Sequence, residues 1–223
     1  MEVITTNSLL PTVRNKNLMV GKTFVGIDFG TSTTVVSIAS YDAVGDCIHT
    51  KSLRLGQMLP DGTLHSSEII PSVIAWINQV ILIGEGASQL KYQLKRGKNI
   101  WYSFKMELGE DLGAKYYESE LSENEPFLIR NPKDAARVFF SYLKYLINRY
   151  CSENSISKDI SYAVSIPASF EANQRKDLLD ALVSNEMKVS KQALIDEPNA
   201  AFISYVVSRA ADNEPMFINP DYN

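Results

Sequence analysis

The chain has 223 residues, 45% apolar and 22% charged, with a formal net charge of −4. That balance is globular and excludes collagen-like, disordered and disulfide-scaffold chains; a chain of this length folds on its own core as one large domain or two small lobes. Lys and Arg are scattered and leave no footprint for nucleic acid, and no apolar run reaches the ~18 residues of a membrane span.

Residues 1–22 read as a polar tail or loosely attached arm, without the apolar stretch of a secretory signal. The expected location is therefore the cytoplasm. Thr23 to Phe29 is a β-branched and aromatic run, Gly30 to Thr34 is turn chemistry, and Val35 to Tyr41 is a second run. Together they predict a strand–turn–strand hairpin. A third strand is expected over Cys47 to Leu55, after a turn at Asp42–Asp46, and Asp61-Gly62 marks a loop. Ile69 to Trp76 and Val80 to Ile83 are strand-like, with Asn78-Gln79 as the hairpin turn between them. Residues 86–125 are mixed, with glycines at 97, 109 and 113, and read as short helices and loops.

Asn131-Pro132 is a helix start, with Asn as cap and Pro at the first helical position. Ala135, Val138, Phe139, Tyr142, Leu143, Leu146, Ile147 and Tyr150 follow on one wide stripe. Ser161 to Ile166 is a short buried strand, Glu171 to Val183 a helix, and Leu194-Ile195 a short strand. Pro198 opens a last helix to about Ala211, whose small residues Ala200, Ala201 and Ser204 allow close packing. Strands first, then strand–helix–strand–helix, predicts an α/β fold whose mixed sheet is an antiparallel meander extended by parallel crossovers.

Several motifs fail. Gly21-Lys22-Thr23 ends like a P-loop, but Lys16 stands where the first Gly belongs. Gly84-Glu85-Gly86 misses a dinucleotide fingerprint because Gln89 replaces the third Gly. His49 and His65 lack metal-ligand spacing, and Cys47 and Cys151 read as free thiols.

The hairpin at Gly26 to Thr34 is different. Asp28 ends a buried strand, and Gly30, Thr31, Ser32 and Thr33 form a turn that can point N–H groups and hydroxyls into one concavity, which suits phosphate oxygens. An Asp beside a phosphate requires a cation between them, and Mg²⁺ fits. The plain alternative is a hairpin turn with Asp28 as a hydrogen-bond acceptor. Taken alone, Glu197 is a carboxylate at a helix start, Lys105 one surface lysine among many, and Pro167 and Arg175 a strand end and a helix charge.

Five ordered segments resemble the seventy-kilodalton heat-shock chaperone family, of which DnaK is the familiar member. They are the 26–34 hairpin, Ile70-Pro71-Ser72-Val73-Ile74-Ala75-Trp76 with Leu82 to Ala87, Ser103 to Gly109, Ala163 to Phe170 with Gln174-Arg175, and Ile195 to Ala201. The resemblance covers about residues 23–210 and implies one lobe of an actin-like (RNase-H-like) ATPase domain, with a mixed five-stranded sheet. It divides the chain into a tail (1–22), subdomain IA (23–55 and 132–223) and an inserted α+β subdomain IB (56–131). It implies ATP/ADP and Mg²⁺ as ligands, with Gly30, Thr31, Ser32 and Thr33 at the phosphates. Asp28, Lys105 and Glu197 become catalytic, with Asp28 and Glu197 holding Mg²⁺ through water and Lys105 over the γ-phosphate. Pro167 and Arg175 become the relay of nucleotide state.

No second Asp-x-Gly-Gly-Gly-Thr hairpin follows within the 223 residues. The expectation is thus a first lobe, excised or naturally short, whose partners are a second lobe and substrate domain, co-chaperones and unfolded clients. Alone it should bind ATP weakly and not turn it over. A non-catalytic partner-binding lobe and an actin-like filament protein are the alternatives. An intact Asp28, Lys105 and Glu197 favours the ATPase.

Overall fold

In the computed structural model six strands pair into one mixed sheet. Residues 3–4, 19–45, 47–110, 112, 117–121, 127–189, 193–211 and 216–217 are described. Gly113, Asp46, the Cys47 side chain, most of the 1–22 arm and the last residues lie outside that set.

Strands β2 (Thr23–Phe29), β3 (Thr33–Asp42) and β4 (Cys47–Ser52) form an antiparallel meander. The strand β11 (Ile160–Ile166) joins β2 in parallel, and β12 (Leu194–Asp196) extends β11, also in parallel. The row is thus β12-β11-β2-β3-β4. A sixth, three-residue strand, β7 (Ile69–Pro71), pairs with Thr33–Val35 at the start of β3. The five-strand expectation leaves it out; the predicted run Ile69 to Trp76 divides at Ser72 into this strand and a second one at Val73–Ile77, which joins a different sheet.

Alternation sets the two faces of the sheet. In β2, Val25, Ile27 and Phe29 are buried, and in β11 Ile160, Tyr162, Val164 and Ile166 are buried. Gly26 and Asp28 of β2 therefore share the opposite face with Ala163 and Ser165, their register partners on β11. The buried face is covered by the helix α3 (Pro132–Glu153). Asn131 caps it by accepting from the Asp134 N–H at 2.8 Å. The predicted stripe is buried or half-buried, and Ala136, Phe140 and Cys151 are buried as well, so α3 packs on more than one side.

Two predicted features differ. The third strand ends at Ser52, not Leu55. Leu53 and Leu55 both turn into the core, and β5 (Leu55–Met58) leaves to form a separate hairpin with β6 (Leu64–Ser67). The arm is not wholly loose either: β1 (Val3–Ile4) pairs antiparallel with β13 (Met216–Phe217). A further small sheet joins β8 (Val73–Ile77), β9 (Val80–Ile83) and β10 (Ile100–Tyr102). Its β8–β9 turn is the predicted Asn78-Gln79, with φ of 50° and 63°, as a primed two-residue turn demands. Helices α1 (Glu85–Ser88) and α2 (Phe104–Glu107) are single turns in the mixed stretch. Helices α4 (Ala172–Val183) and α5 (Glu197–Ala211) follow β11 and β12.

Of the small residues expected to allow close packing along α5, Ala200 is half-buried. Ala201 and Ser204 are exposed, and so are Phe202, Ile203, Tyr205 and Val207; Val206 is buried. Most of the apolar side chains described on α5 are thus exposed.

Candidate active site

A cleft of about 1100 Å³ opens on the sheet face opposite α3. Asp28, Gly30 and Thr31 from the hairpin, Lys105 from α2, Pro167 after β11 and Glu197 at the start of α5 all line it. Three charged residues up to 169 positions apart, from Asp28 to Glu197, are thus brought to one cavity.

Each arrives by a different route. Asp28 stands on the outer face of β2, where its Oδ1 accepts from Ser165 Oγ at 2.6 Å across the parallel pair. Lys105 is carried by α2, one turn long and far below the length that holds a helix by itself. Its place is set by Phe104, which packs with Phe29 and Phe139 at ring separations of 6.1 and 5.8 Å, and by buried Leu108. The Lys105 side chain is only 3% exposed. Its ammonium lies 5.6 Å from the Phe29 ring and 5.8 Å from the Phe170 ring, and donates to Glu197 Oε1 at 2.7 Å. Glu197 is 43% exposed, so the pair joins a nearly buried lysine to a carboxylate that reaches solvent.

The turn that follows Asp28 is fixed from outside. A Cβ on Gly30 would stand 2.2 Å from the Thr33 carbonyl oxygen, so only glycine fits. Ser72, buried, donates its hydroxyl to the Gly30 carbonyl at 2.9 Å and its N–H to the Ser32 carbonyl at 2.9 Å. Its Oγ also shares a hydrogen bond with Thr34 Oγ1 at 3.0 Å. Ser32 and Thr33 are not among the residues lining the cleft; Thr33 starts β3, opposite Pro71. Of the four residues expected at the phosphates, Gly30 and Thr31 face the cavity.

Pro167 and Arg175 do not bond directly. The Pro167 carbonyl accepts from the Phe170 N–H at 3.0 Å, and the Phe170 carbonyl accepts from Arg175 Nε at 3.0 Å. Arg175 Nη2 then donates to Asp196 Oδ1 at 2.7 Å, one residue before Glu197. Among the described residues no group of three His, Cys, Asp or Glu side chains is close enough to enclose a metal ion by itself.

The residues read from sequence as functional left out Ser72 and Ser165. The signal for Ser165 is the period of two: it is the cleft-facing residue of β11 level with Asp28. The Ser72 side-chain bonds join residues 38 and 42 positions apart and leave no local pattern.

Two hundred residues of the chain align with known chaperones. It is 27% identical over 201 residues to the chaperone protein HscA homolog of Pseudoalteromonas atlantica, covering 86% of this chain and 29% of that one. It is 25% identical over 200 residues to the chaperone protein DnaK of Mycoplasma mobile, covering 90% of this chain, and 24% identical over 210 residues to the chaperone protein dnaK1 of Prochlorococcus marinus. The chain is related to the seventy-kilodalton heat-shock chaperones. It spans about 28% of the length of these DnaK-type relatives. No protein-family profile matches it. No helix among the described residues is long and apolar enough to cross a membrane.

Proposed function

We propose that this chain is the first lobe of a chaperone-type ATPase domain, with an actin-like fold, and that its cleft holds the phosphates of Mg·ATP. The observation that carries this reading is the meeting of Lys105, Glu197 and Asp28 in one cavity beside a glycine-bearing turn. A buried ammonium in that place has an evident use. Held in a partly dry cleft, a cation attracts a phosphate charge at 4 Å by ~4 kcal/mol, against ~1 kcal/mol in bulk water.

Without nucleotide, Glu197 neutralises Lys105. With phosphate present, Lys105 turns its charge to the γ-phosphoryl oxygens, and Glu197 is released to orient water. Gly30 and Thr31 offer backbone and hydroxyl groups to the phosphates. The donor set fits Mg²⁺: two carboxylates, Asp28 and Glu197, face one cleft, and Mg²⁺ prefers one or two carboxylates with waters and phosphate oxygens over an all-protein cage. Such an ion would neutralise developing phosphate charge. Ser32 and Thr33 act by shaping the turn. The Pro167–Phe170–Arg175–Asp196 chain of bonds would carry the state of the cleft towards α4 and β12.

The division into an arm (1–22), subdomain IA (23–55 and 132–223) and an inserted subdomain IB (56–131) is part of this reading. Its support is that the β5–β6 hairpin and the β8–β9–β10 sheet fall within or beside the middle segment. A second lobe would supply the adenosine contacts and rest on the exposed apolar side chains of α5, and ATP-driven work on client proteins, with co-chaperones, would belong to the larger assembly. The test is single-turnover hydrolysis by the protein with both lobes. Asp28→Asn and Lys105→Ala should each slow it by ~10²-fold, about 2.7 kcal/mol of transition-state stabilisation, with folding intact. Wild-type rates in either variant would refute the assigned roles.

A further inference from the structure

Lys105 and Glu197 sit on separate elements, 92 positions apart, yet their charged atoms are 2.7 Å apart. Something must hold the two elements in register, and α2, a single turn, cannot do it alone. Helix α4 bonds to the loop that follows the first and to the residue that precedes the second. Four residues after Lys105, Gly109 donates its N–H to Asp177 Oδ2 at 3.1 Å and accepts at its carbonyl from Asn173 Nδ2 at 2.9 Å. Both polar groups of one loop residue are thus held by side chains one turn apart on one helix. Gly109 has φ of +76°, and a Cβ there would stand 2.8 Å from Asn173 Cγ and 2.9 Å from the Gln174 nitrogen. The loop lies against the α4 backbone with no room for a side chain. From the same turns of α4, Arg175 reaches the residue before Glu197. The other oxygen of Asp177 faces Lys133 Nζ at 3.6 Å, so its charge is balanced from α3.

We infer that Asn173 and Asp177 are positioning residues, which clamp the Gly109 loop to α4 and thereby fix the Lys105 ammonium against Glu197. Neither residue lines the cleft. The apolar anchors Phe104 and Leu108 set the depth of the loop, and the two-point clamp fixes its end. This deepens the phosphate-site reading and rests on it for its consequence, the placement of the Lys105 charge; the clamp itself is measurable without nucleotide.

The experiment is acetylation of the folded chain by an N-hydroxysuccinimide ester, with the rate at each lysine read by peptide mass spectrometry. In the Asn173→Ala/Asp177→Ala variant, Lys105 should be labelled about tenfold faster than in the wild type, because its loop opens locally. Lys144, a half-buried lysine that donates to the Asn185 carbonyl at 2.6 Å, should not change. Asp177→Asn keeps an acceptor for the Gly109 N–H and should keep the slow rate, and slow hydrogen exchange at that amide should persist with it. Wild-type protection of Lys105 in the double variant would overturn the clamp. So would equal acceleration at Lys105 and Lys144, which means loosening of the whole lobe, and so would an Asp177→Asn variant as fast as the double variant. Mg·ATP titration of the wild type tests the phosphate reading separately, since its failure leaves the labelling pattern untouched.

Discussion

Removing either partner of the Lys105–Glu197 pair should have opposite effects on stability. The Lys105 ammonium is 3% exposed and Glu197 is its one acidic partner within 4 Å among the described residues, the Phe29 and Phe170 rings lying over 5 Å away. Glu197→Ala leaves a buried charge unpaired. A fully buried pair broken this way costs about 3–5 kcal/mol; because Glu197 is 43% exposed, water can enter the gap, and about 2–3 kcal/mol is expected. For a chain of this size that lowers Tm by about 5–10 °C. Lys105→Met keeps the apolar stem and removes the desolvated charge, so it should be neutral or stabilise by about 1 kcal/mol. With Lys105→Met already in place, Glu197→Ala should then cost only its helix-terminus term, about 0.5 kcal/mol. The assay is thermal and urea unfolding of the four proteins of this cycle. If Lys105→Met lowers stability as much as Glu197→Ala, the pair is a structural salt bridge with a net gain, and the view that the lysine is kept there for chemistry is wrong.

Ser72→Ala removes two side-chain hydrogen bonds and leaves the buried Thr34 hydroxyl unpaired, so it should cost about 1–3 kcal/mol; an unchanged Tm would show that the turn holds itself. Alkali should unfold the chain progressively. Burial pushes Tyr142 and Tyr162 up to about 12, and burial with the Glu107 carboxylate holds Tyr117 higher still, against 10.0 in the unfolded chain. The folded state keeps these protons longer, so their contribution is full below about pH 10 and is lost as pH rises towards 12. Urea unfolding across that range, with tyrosinate absorbance, checks it; ordinary titration of all 11 tyrosines in the folded protein would contradict it.

Local physics makes much of the fold legible. The β2–β3 hairpin follows from alternation around a Gly-Thr turn, and α3 from the Asn131-Pro132 cap and its apolar stripe. What alternation cannot show is a strand too short to have a period, which is why β7 as a separate strand and β10 escape it. Nor can composition tell which small residues meet a neighbour; Ala201 and Ser204 of α5 allow close packing and are exposed. The site divides in the same way. Asp28 and its turn carry their own signal within nine residues. Lys105 and Glu197 acquire meaning only through tertiary packing on Phe29, Phe104 and α4, and spacing alone leaves them a surface lysine and a helix-start carboxylate. Ser72 and Ser165 act across strands, where no local pattern records them.

The central claim is that this cleft holds nucleotide phosphates against Lys105. Calorimetric titration of the purified chain with ATP, with and without Mg²⁺, tests it most directly. We expect weak, saturable, Mg²⁺-dependent binding that falls at least tenfold, about 1.4 kcal/mol, in Lys105→Ala. Binding of equal strength in the wild type and Lys105→Ala, or no heat with millimolar Mg·ATP, about −4 kcal/mol at the threshold, would contradict it.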